Sequence, residues 1–169
     1  MDASIAVWDC KRASDYIRPI SAIRFLFKDV RVYAWGGPGK GRQLITGERW
    51  QPYQALNFVT PPFAEYVSGH STFSSTSAEI LRLYKGNDDF NSSFTFKGGS
   101  SLIEPGVTPA EDVSLRWATF TEAAEEAGIS RLYGGIHFAD ANVEGLKMGR
   151  KIGAKVWAKA QSYFDGTAQ

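Results

Sequence analysis

Two segments of the sequence concentrate side chains that can bind negatively charged oxygen atoms. The segment WDCKRASDYIRP, at 8–19, carries Lys11 and Arg18, whose spacing of two helical turns places them on nearly the same face. The segment ISRLYGGIHFADAN, at 129–142, carries Arg131 and His137 on either side of two glycines. Taken alone, each segment is better explained by structure, as a solvated charged face or as a helix end followed by a turn.

A third segment, EYVSGHSTFSSTSAEIL at 65–81, places one of the chain's two histidines in a Ser68-Gly69-His70 turn before a helix of small residues. A helix start offers aligned N–H groups and a favourable dipole to an anion. Together the three segments supply two guanidiniums, one ammonium, two imidazoles and these backbone donors. That inventory fits a tetrahedral oxyanion. If the cations share one pocket, an anion is expected there, because unpaired buried charges are costly.

The composition is that of one soluble globular domain, with 169 residues, 43% of them hydrophobic and 22% charged. A formal net charge of +1 argues against nucleic acid as the main partner. One cysteine excludes an internal disulfide framework, and two histidines add too few ligands for an ordinary zinc site. The stretch GGPGKG, at 36–41, lacks the spacing of a phosphate-binding P-loop. No apolar window predicts a membrane span, and the N-terminus lacks a signal-peptide pattern.

Hydrophobic spacing and turn residues predict a mainly α fold built from four helices with long loops. The helices are expected at about 4–17, 70–84, 108–128 and 142–163, with a short helical turn near 20–27 and a long connection over 36–62. Thr108, Pro109 and Glu111 form a predicted capping box for the third helix. A small β-hairpin is expected within 90–103, with Phe94 and Phe96 on one strand and Leu102 on the other.

Three glycines in the fourth predicted helix, Gly145, Gly149 and Gly153, recur every four residues. Each glycine inside a helix costs about 1 kcal/mol relative to alanine. Their common stripe therefore predicts a neighbouring helix that packs very close.

The three oxyanion segments, in this order, resemble the signature of the superfamily of type 2 phosphatidic acid phosphatases (PAP2) and vanadium-dependent haloperoxidases. The pattern is Lys-x6-Arg-Pro, Ser-Gly-His and Ser-Arg-x5-His, met by Lys11, Arg18-Pro19, Ser68-Gly69-His70, Ser130-Arg131 and His137. The surrounding text is most similar to the C-terminal catalytic region of soluble vanadium haloperoxidases. The resemblance covers nearly the whole chain and implies a single helical-bundle catalytic domain over 1–169, without the family's long N-terminal helical region.

The resemblance implies vanadate as the cofactor, at a site that phosphate can also occupy. His137 would bond the vanadium directly, and His70 would be the acid–base residue, a role that suits a group titrating near neutrality. The vanadate oxygens would be held by Lys11, Arg18, Ser68, Gly69 and Arg131. Hydrogen peroxide and a halide would be the substrates, and Lys11 would also polarise the peroxide.

Two further assignments follow from the resemblance. Trp8 and Phe63 match positions that flank the halide in chloride-using haloperoxidases, where an apolar wall suits a weakly hydrated ion. The family often has an aspartate four residues after the metal-bonding histidine. Ala141 holds that position here, so Asp140 is the residue expected to orient the site.

Three functions remain open at this stage. The first is a vanadium haloperoxidase that oxidises halide with hydrogen peroxide to hypohalous acid or a halogenated small organic product. The second is an acid phosphatase that forms a phosphohistidine at the same histidine, and the third is an incomplete oxyanion-binding domain without turnover. Apolar surface left by missing helices is expected to be covered by a homodimer contact or a partner chain. The expected compartment is the cytoplasm if the chain starts naturally here, or outside the cell if it is a fragment.

Overall fold

The computed structural model describes residues 1–168, within which helices dominate. The α-helices are α1 (Asp2–Ser14), α2 (Pro19–Leu26), α3 (Gly69–Lys85), α4 (Phe120–Tyr133) and α5 (Ala139–Phe164). Two separate antiparallel hairpins pair β1 (Arg31–Trp35) with β2 (Arg42–Thr46) and β3 (Asp89–Phe96) with β4 (Val113–Thr119). The predicted mainly α helical bundle is confirmed.

The contact between α3 and α5 is the centre of the bundle. A Cβ atom added at Gly145 or at Gly153 would lie 2.9 Å from the backbone oxygen of Ser68 or of Thr76, closer than real Cβ atoms approach. Gly149 lies between them on the same stripe, and its carbonyl accepts a 3.1 Å hydrogen bond from the Thr76 hydroxyl. The close helix neighbour predicted from the three glycines is therefore confirmed.

The face of α3 that meets these glycines consists of small polar residues. Their hydroxyls turn back onto the helix's own carbonyls: Thr72 donates to Ser68 O at 2.9 Å, and Ser75 donates to Ser71 O at 2.7 Å. Hydroxyls bonded in this way can be buried without leaving an unpaired donor. A polar sequence thus forms a buried helix face of small side chains.

The third long helix begins at Phe120 rather than at Thr108, so that prediction was wrong. Residues 113–119 are the strand β4, which pairs with β3. The capping box actually used lies eleven residues later, at Thr119 and Glu122. The Thr119 hydroxyl accepts from the Glu122 N–H at 3.0 Å, and the Glu122 carboxylate accepts from the Thr119 N–H at 3.2 Å.

The hairpins also differ in part from the predicted one. The strand through Phe94 and Phe96 exists, but Phe94 lies opposite Leu115 and Phe96 opposite Val113. The second strand expected at Leu102 was wrong, because 97–112 form the connecting loop. The first hairpin was not predicted, and β2 lies inside the expected long connection.

Glu104 fastens the loop between β3 and β4 to the first hairpin. Its carboxylate is buried, with the residue only 6% exposed. It accepts hydrogen bonds from Gly39 N–H at 2.9 Å, Tyr53 O–H at 2.8 Å and Trp35 Nε1–H at 3.3 Å. These bonds hold the pKa of Glu104 below its ordinary value.

The remaining helix ends lie close to their expected positions, except that α4 continues through Gly128 to Tyr133, so the end predicted at 128 was wrong. Asp15, with φ 42°, adopts the left-handed conformation that ends α1. Pro19 occupies the first turn of α2, and α5 already begins at Ala139 rather than at Asn142. In the described part of the chain, the helices are too short or too polar to cross a membrane.

Candidate functional site

The Ser-Gly-His turn starts α3, as the sequence predicted. Ser68 is the N-cap, and its hydroxyl accepts from the Ser71 N–H at 3.4 Å. Gly69 supplies the first N–H of the helix, one of the donors that a helix cannot satisfy internally. His70 follows on the exposed side. This turn therefore aims backbone donors and one imidazole at the same space.

A second turn delivers His137 from the end of α4. Gly135 N–H donates to Leu132 O at 2.9 Å, and Ile136 N–H donates to Arg131 O at 3.1 Å, a pattern that closes a helix through a left-handed residue. Gly135 has φ +70°, and a Cβ there would lie 3.1 Å from Pro52. The glycine is thus required by the turn and by a close protein neighbour, rather than by a ligand.

His137 is held by a buried carboxylate, that of Glu65. The imidazole Nδ1 lies 2.7 Å from Glu65 Oε1, and the same oxygen accepts from the Phe138 N–H at 2.9 Å. Glu65 is 1% exposed and His137 7%. Burial lowers the pKa of His137, which Glu65 opposes and Arg18 reinforces. A neutral ring with its proton on Nδ1 satisfies the carboxylate and leaves the Nε2 lone pair available.

The cations Lys11 and Arg18 are held by backbone carbonyls of residues 63–67, which we call the strap. Lys11 Nζ donates to Ala64 O at 2.8 Å, Glu65 O at 3.0 Å and Val67 O at 2.7 Å. Arg18 donates from Nε to Phe63 O at 2.7 Å and from Nη2 to Ala64 O at 3.2 Å. One short segment before α3 thus fixes both cations of the first motif.

Arg18 also reaches the histidine, since its Nη1 lies 3.4 Å from His137 Nε2 and donates to Ile136 O at 2.9 Å. Arg131, in the last turn of α4, is the third cation. Its Nε is buried and, among the described residues, has no hydrogen-bond partner. A buried guanidinium N–H without an acceptor indicates that something else is meant to accept from it.

A cavity of about 250 Å³ is lined by the two motif histidines and by two of these cations, Lys11 and Arg131. Its wall includes Trp8, Lys11, Phe63, Gly69, His70, Phe73, Arg131 and His137. Ser68 and Arg18 are buried, 0% and 7% exposed, and do not line this cavity. The structure thus brings the three segments together around one cavity.

The two aromatic residues predicted at this site form one side of the cavity. The ring centroids of Trp8 and Phe63 are 5.0 Å apart, and both side chains are partly exposed. Lys11 Nζ lies 5.1 Å and Arg18 Cζ 5.0 Å from the centroid of the Phe63 ring. The wall is therefore apolar but lies next to two positive charges.

The environment shifts the pKa values of the titrating residues around the cavity. Burial and the neighbouring Arg18 lower the pKa of Lys11 to about 8, which Glu65 partly opposes. His70 lines the cavity and is exposed on one side, while protein atoms surround it on the other. The resulting partial desolvation lowers the pKa of His70, and the charges of Arg131 and His137 lower it further. A neutral His70 near neutrality can accept a proton.

Asp140, expected to orient the site, is exposed and is not among the partners of His137. Glu65 occupies that role in the geometry. The sequence contained one signal for it, a charged residue in the otherwise apolar stretch PPFAEYV directly before Ser-Gly-His. A second unpredicted contact joins Ser71 Oγ to Asn142 Oδ1 at 2.7 Å and ties the start of α3 to α5.

Comparisons with known proteins agree with this geometry. The family model described as the VCPO second helical-bundle domain matches residues 1–166. Solved structures of a bacterial vanadium-dependent chloroperoxidase, in holo and apo forms, each match with a TM-score of 0.87 at 29% identity over 93% of this chain. The first bacterial vanadium-dependent iodoperoxidase matches with a TM-score of 0.61 at 33% identity over 92% of this chain. No curated protein gives a significant match.

The matched region is a part of each relative. The chain covers 33% of the chloroperoxidase chain and 30% of the iodoperoxidase chain. Within that part, the family model extends over nearly all of the residues described here. The chain therefore belongs to the VCPO second helical-bundle domain family of the vanadium haloperoxidases.

Proposed function

We propose that this chain is the vanadate-binding catalytic domain of a vanadium haloperoxidase, which oxidises a halide with hydrogen peroxide to hypohalous acid. One observation carries the proposal. The buried Glu65 leaves the His137 Nε2 lone pair as an acceptor, 3.4 Å from Arg18 Nη1 and beside a cavity lined by cations, one of which has an unpartnered buried N–H. A set with one nitrogen ligand and several cationic donors suits a metal oxyanion rather than a bare metal cation.

The residues present fit vanadate. His137 would be its one protein bond, and its oxygens would be held by Lys11, Arg18, Ser68, Gly69 and Arg131. The buried Nε–H of Arg131, which has no partner among the described residues, is one donor that could bind such an oxygen. When bound, vanadate would supply the activation of hydrogen peroxide, so that the halide loses two electrons, the peroxide is reduced and water is released.

The chain's own residues would bind and orient the reactants and would move protons. Glu65 keeps the proton of His137 on Nδ1, which fixes the ring and directs Nε2 at the cavity. His70, neutral because its pKa is lowered, would take a proton from the incoming peroxide and return it to the leaving oxygen. Lys11 and Arg18 supply positive charge against the Phe63 ring. This apolar, positively charged wall favours a weakly hydrated halide.

The test uses the purified chain with orthovanadate, hydrogen peroxide and bromide, and measures halogenation of a β-diketone dye. We expect turnover that requires vanadate and falls when phosphate competes, and its loss in His137→Ala. Turnover absent with both bromide and chloride would contradict the proposal. In that case, hydrolysis of a simple phosphate ester would favour an acid phosphatase, and oxyanion binding alone would favour a domain without turnover.

Arg131 and Arg116 offer a matched pair for the same proposal. Arg131→Ala should weaken vanadate binding roughly 10- to 150-fold, because a charge-assisted hydrogen bond contributes about 1.5–3 kcal/mol. Arg116 is exposed on β4, so Arg116→Ala should bind as the wild type does. Titration calorimetry measures both. Equal affinities in the two variants would show that Arg131 does not contact the oxyanion.

A further inference from the structure

Glu65 is fixed more firmly than its contact with His137 alone requires. One carboxylate oxygen, Oε1, accepts from both His137 Nδ1 and the Phe138 N–H. Two donors on one oxygen fix the position of that oxygen relative to the ring. The carboxylate cannot follow the imidazole if the imidazole turns, because the Phe138 backbone holds it in place.

The backbone of Glu65 ties it to the first motif as well. Its N–H donates to Tyr16 O at 2.9 Å, and its carbonyl accepts from Lys11 Nζ at 3.0 Å. A single residue therefore joins the lysine segment to His137 of the segment 129–142. Glu65 thus contacts both the Lys11 cation, which Ala64 and Val67 also hold, and the His137 ring.

The charge of Glu65 acts on the cavity in two opposite ways. A carboxylate that accepts from the Nδ1–H makes Nε2 a stronger electron-pair donor. The same negative charge repels any anion in the cavity. An oxyanion that forms a bond with Nε2 gains from the first effect, whereas an oxyanion held by charge alone experiences only the second.

We propose that Glu65 is the positioning residue that selects among oxyanions, favouring those that accept a bond from His137 Nε2, such as vanadate, over those held by charge alone, such as sulfate. This inference rests on the proposed function, because it assumes that vanadate is the ligand bonded by His137. It assigns the choice of ligand to a residue outside the three motifs. The cations Lys11, Arg18 and Arg131 attract both kinds of oxyanion and cannot make that choice.

The first test reads the free protein, without any cofactor. The chain has two histidines, so ¹⁵N labelling of histidine resolves His137 readily. We expect its proton on Nδ1 in the wild type and in Glu65→Gln, whose amide oxygen can replace Oε1. In Glu65→Ala we expect a mixture of tautomers. The exposed Asp140 supplies the matched control, and Asp140→Asn should leave the tautomer unchanged. An unchanged tautomer in Glu65→Ala would overturn the positioning role.

The second test measures orthovanadate and sulfate affinity by titration calorimetry. Glu65→Gln keeps the shape and removes the charge, so it should weaken vanadate binding about 10- to 100-fold while sulfate binding is unchanged or tighter. A loss of affinity for both oxyanions, or for neither, would overturn the selective role. A wild-type chain that binds sulfate but not vanadate would instead refute the proposed function, and the tautomer of Glu65→Ala would still decide the positioning claim.

Discussion

Lys11 shows how a charged side chain can be buried at this site. The residue is 3% exposed, yet its ammonium has three carbonyl partners in the strap. Carbonyl oxygens compensate for lost water but carry no full negative charge. Burial beside Arg18 therefore still lowers the pKa of Lys11 to about 8.

This pKa predicts how oxyanion binding depends on pH. Lys11 is charged below about pH 8 and loses its proton above it, so sulfate affinity should fall as the pH rises from about 7 to about 10. Sulfate keeps its own charge over this range. Titration calorimetry across the range measures the fall, and Lys11→Met should bind more weakly with little dependence on pH. A wild-type affinity that stays constant up to about pH 10 would contradict the prediction.

At the residue level, the sequence predicted which groups converge better than it predicted what orients them. Lys11, Gly69, His70 and His137 were placed at one site by the order of their motifs, and they line one cavity. Glu65 was missed because its partner lies 72 residues along the chain. No local pattern specifies such a contact, since it depends on how the strap packs against the turn after α4.

At the level of elements, α3 and α5 lie so close together that there is no room for side chains at the glycine stripe of α5. A Cβ at Gly149 of α5 would lie 3.0 Å from the Thr76 N atom and still nearer to the Thr72 carbonyl and the Ser75 hydroxyl. Backbone atoms of α3 cannot move aside as a flexible side chain can. The glycine stripe is therefore required for the contact between α3, which begins at the Ser68 cap, and α5.

We predict that Gly149→Ala destabilises the protein by about 2 kcal/mol or more, since overpacking outweighs the gain in helix propensity. Gly69, also in a helix, serves as the control. A Cβ there would meet only the Phe73 ring, at an ordinary 3.5 Å, so Gly69→Ala should change stability little. Urea unfolding of both variants measures the difference. Equal midpoints would show that α5 can shift away from α3.

The elements also show why one helix was misplaced. Two stretches, Thr108 to Glu111 and Thr119 to Glu122, carry the same capping pattern. Between them, Val113, Leu115 and Trp117 alternate with period two, although some of the same apolar residues also fit a helical stripe. Pairing with β3 decides between the two readings, and that long-range contact is absent from the local pattern.

At the level of the whole molecule, Glu104 connects the two hairpins. Its pKa is lowered by hydrogen bonds to groups on the first hairpin and to Tyr53. A carboxyl whose pKa is lower in the folded state stabilises that state above its ordinary pKa. The stabilisation is lost as the pH falls through the lower, folded value.

Glu104→Gln should therefore have a lower urea midpoint than the wild type at neutral pH. The difference should shrink as the pH falls below the ordinary glutamate value of 4.5. Glu111 lies in the same loop and is exposed, so Glu111→Gln provides a control with little effect at any pH. A gap between wild type and Glu104→Gln that is the same at neutral and acid pH would contradict this account.

The three carbonyls that accept from Lys11 also determine what the binding of an oxyanion would require. The ammonium protons already have acceptors in the strap, so an oxyanion bound as proposed would compete with these backbone oxygens for the cation. One acceptor would replace another, and the net gain in binding free energy would be the difference between a hydrogen bond to a full negative charge and one to a carbonyl dipole. The chain is equally similar to the holo and apo forms of the bacterial chloroperoxidase, with a TM-score of 0.87 against each. Under the proposed function, we therefore expect this scaffold to take up and release an oxyanion without a change of fold.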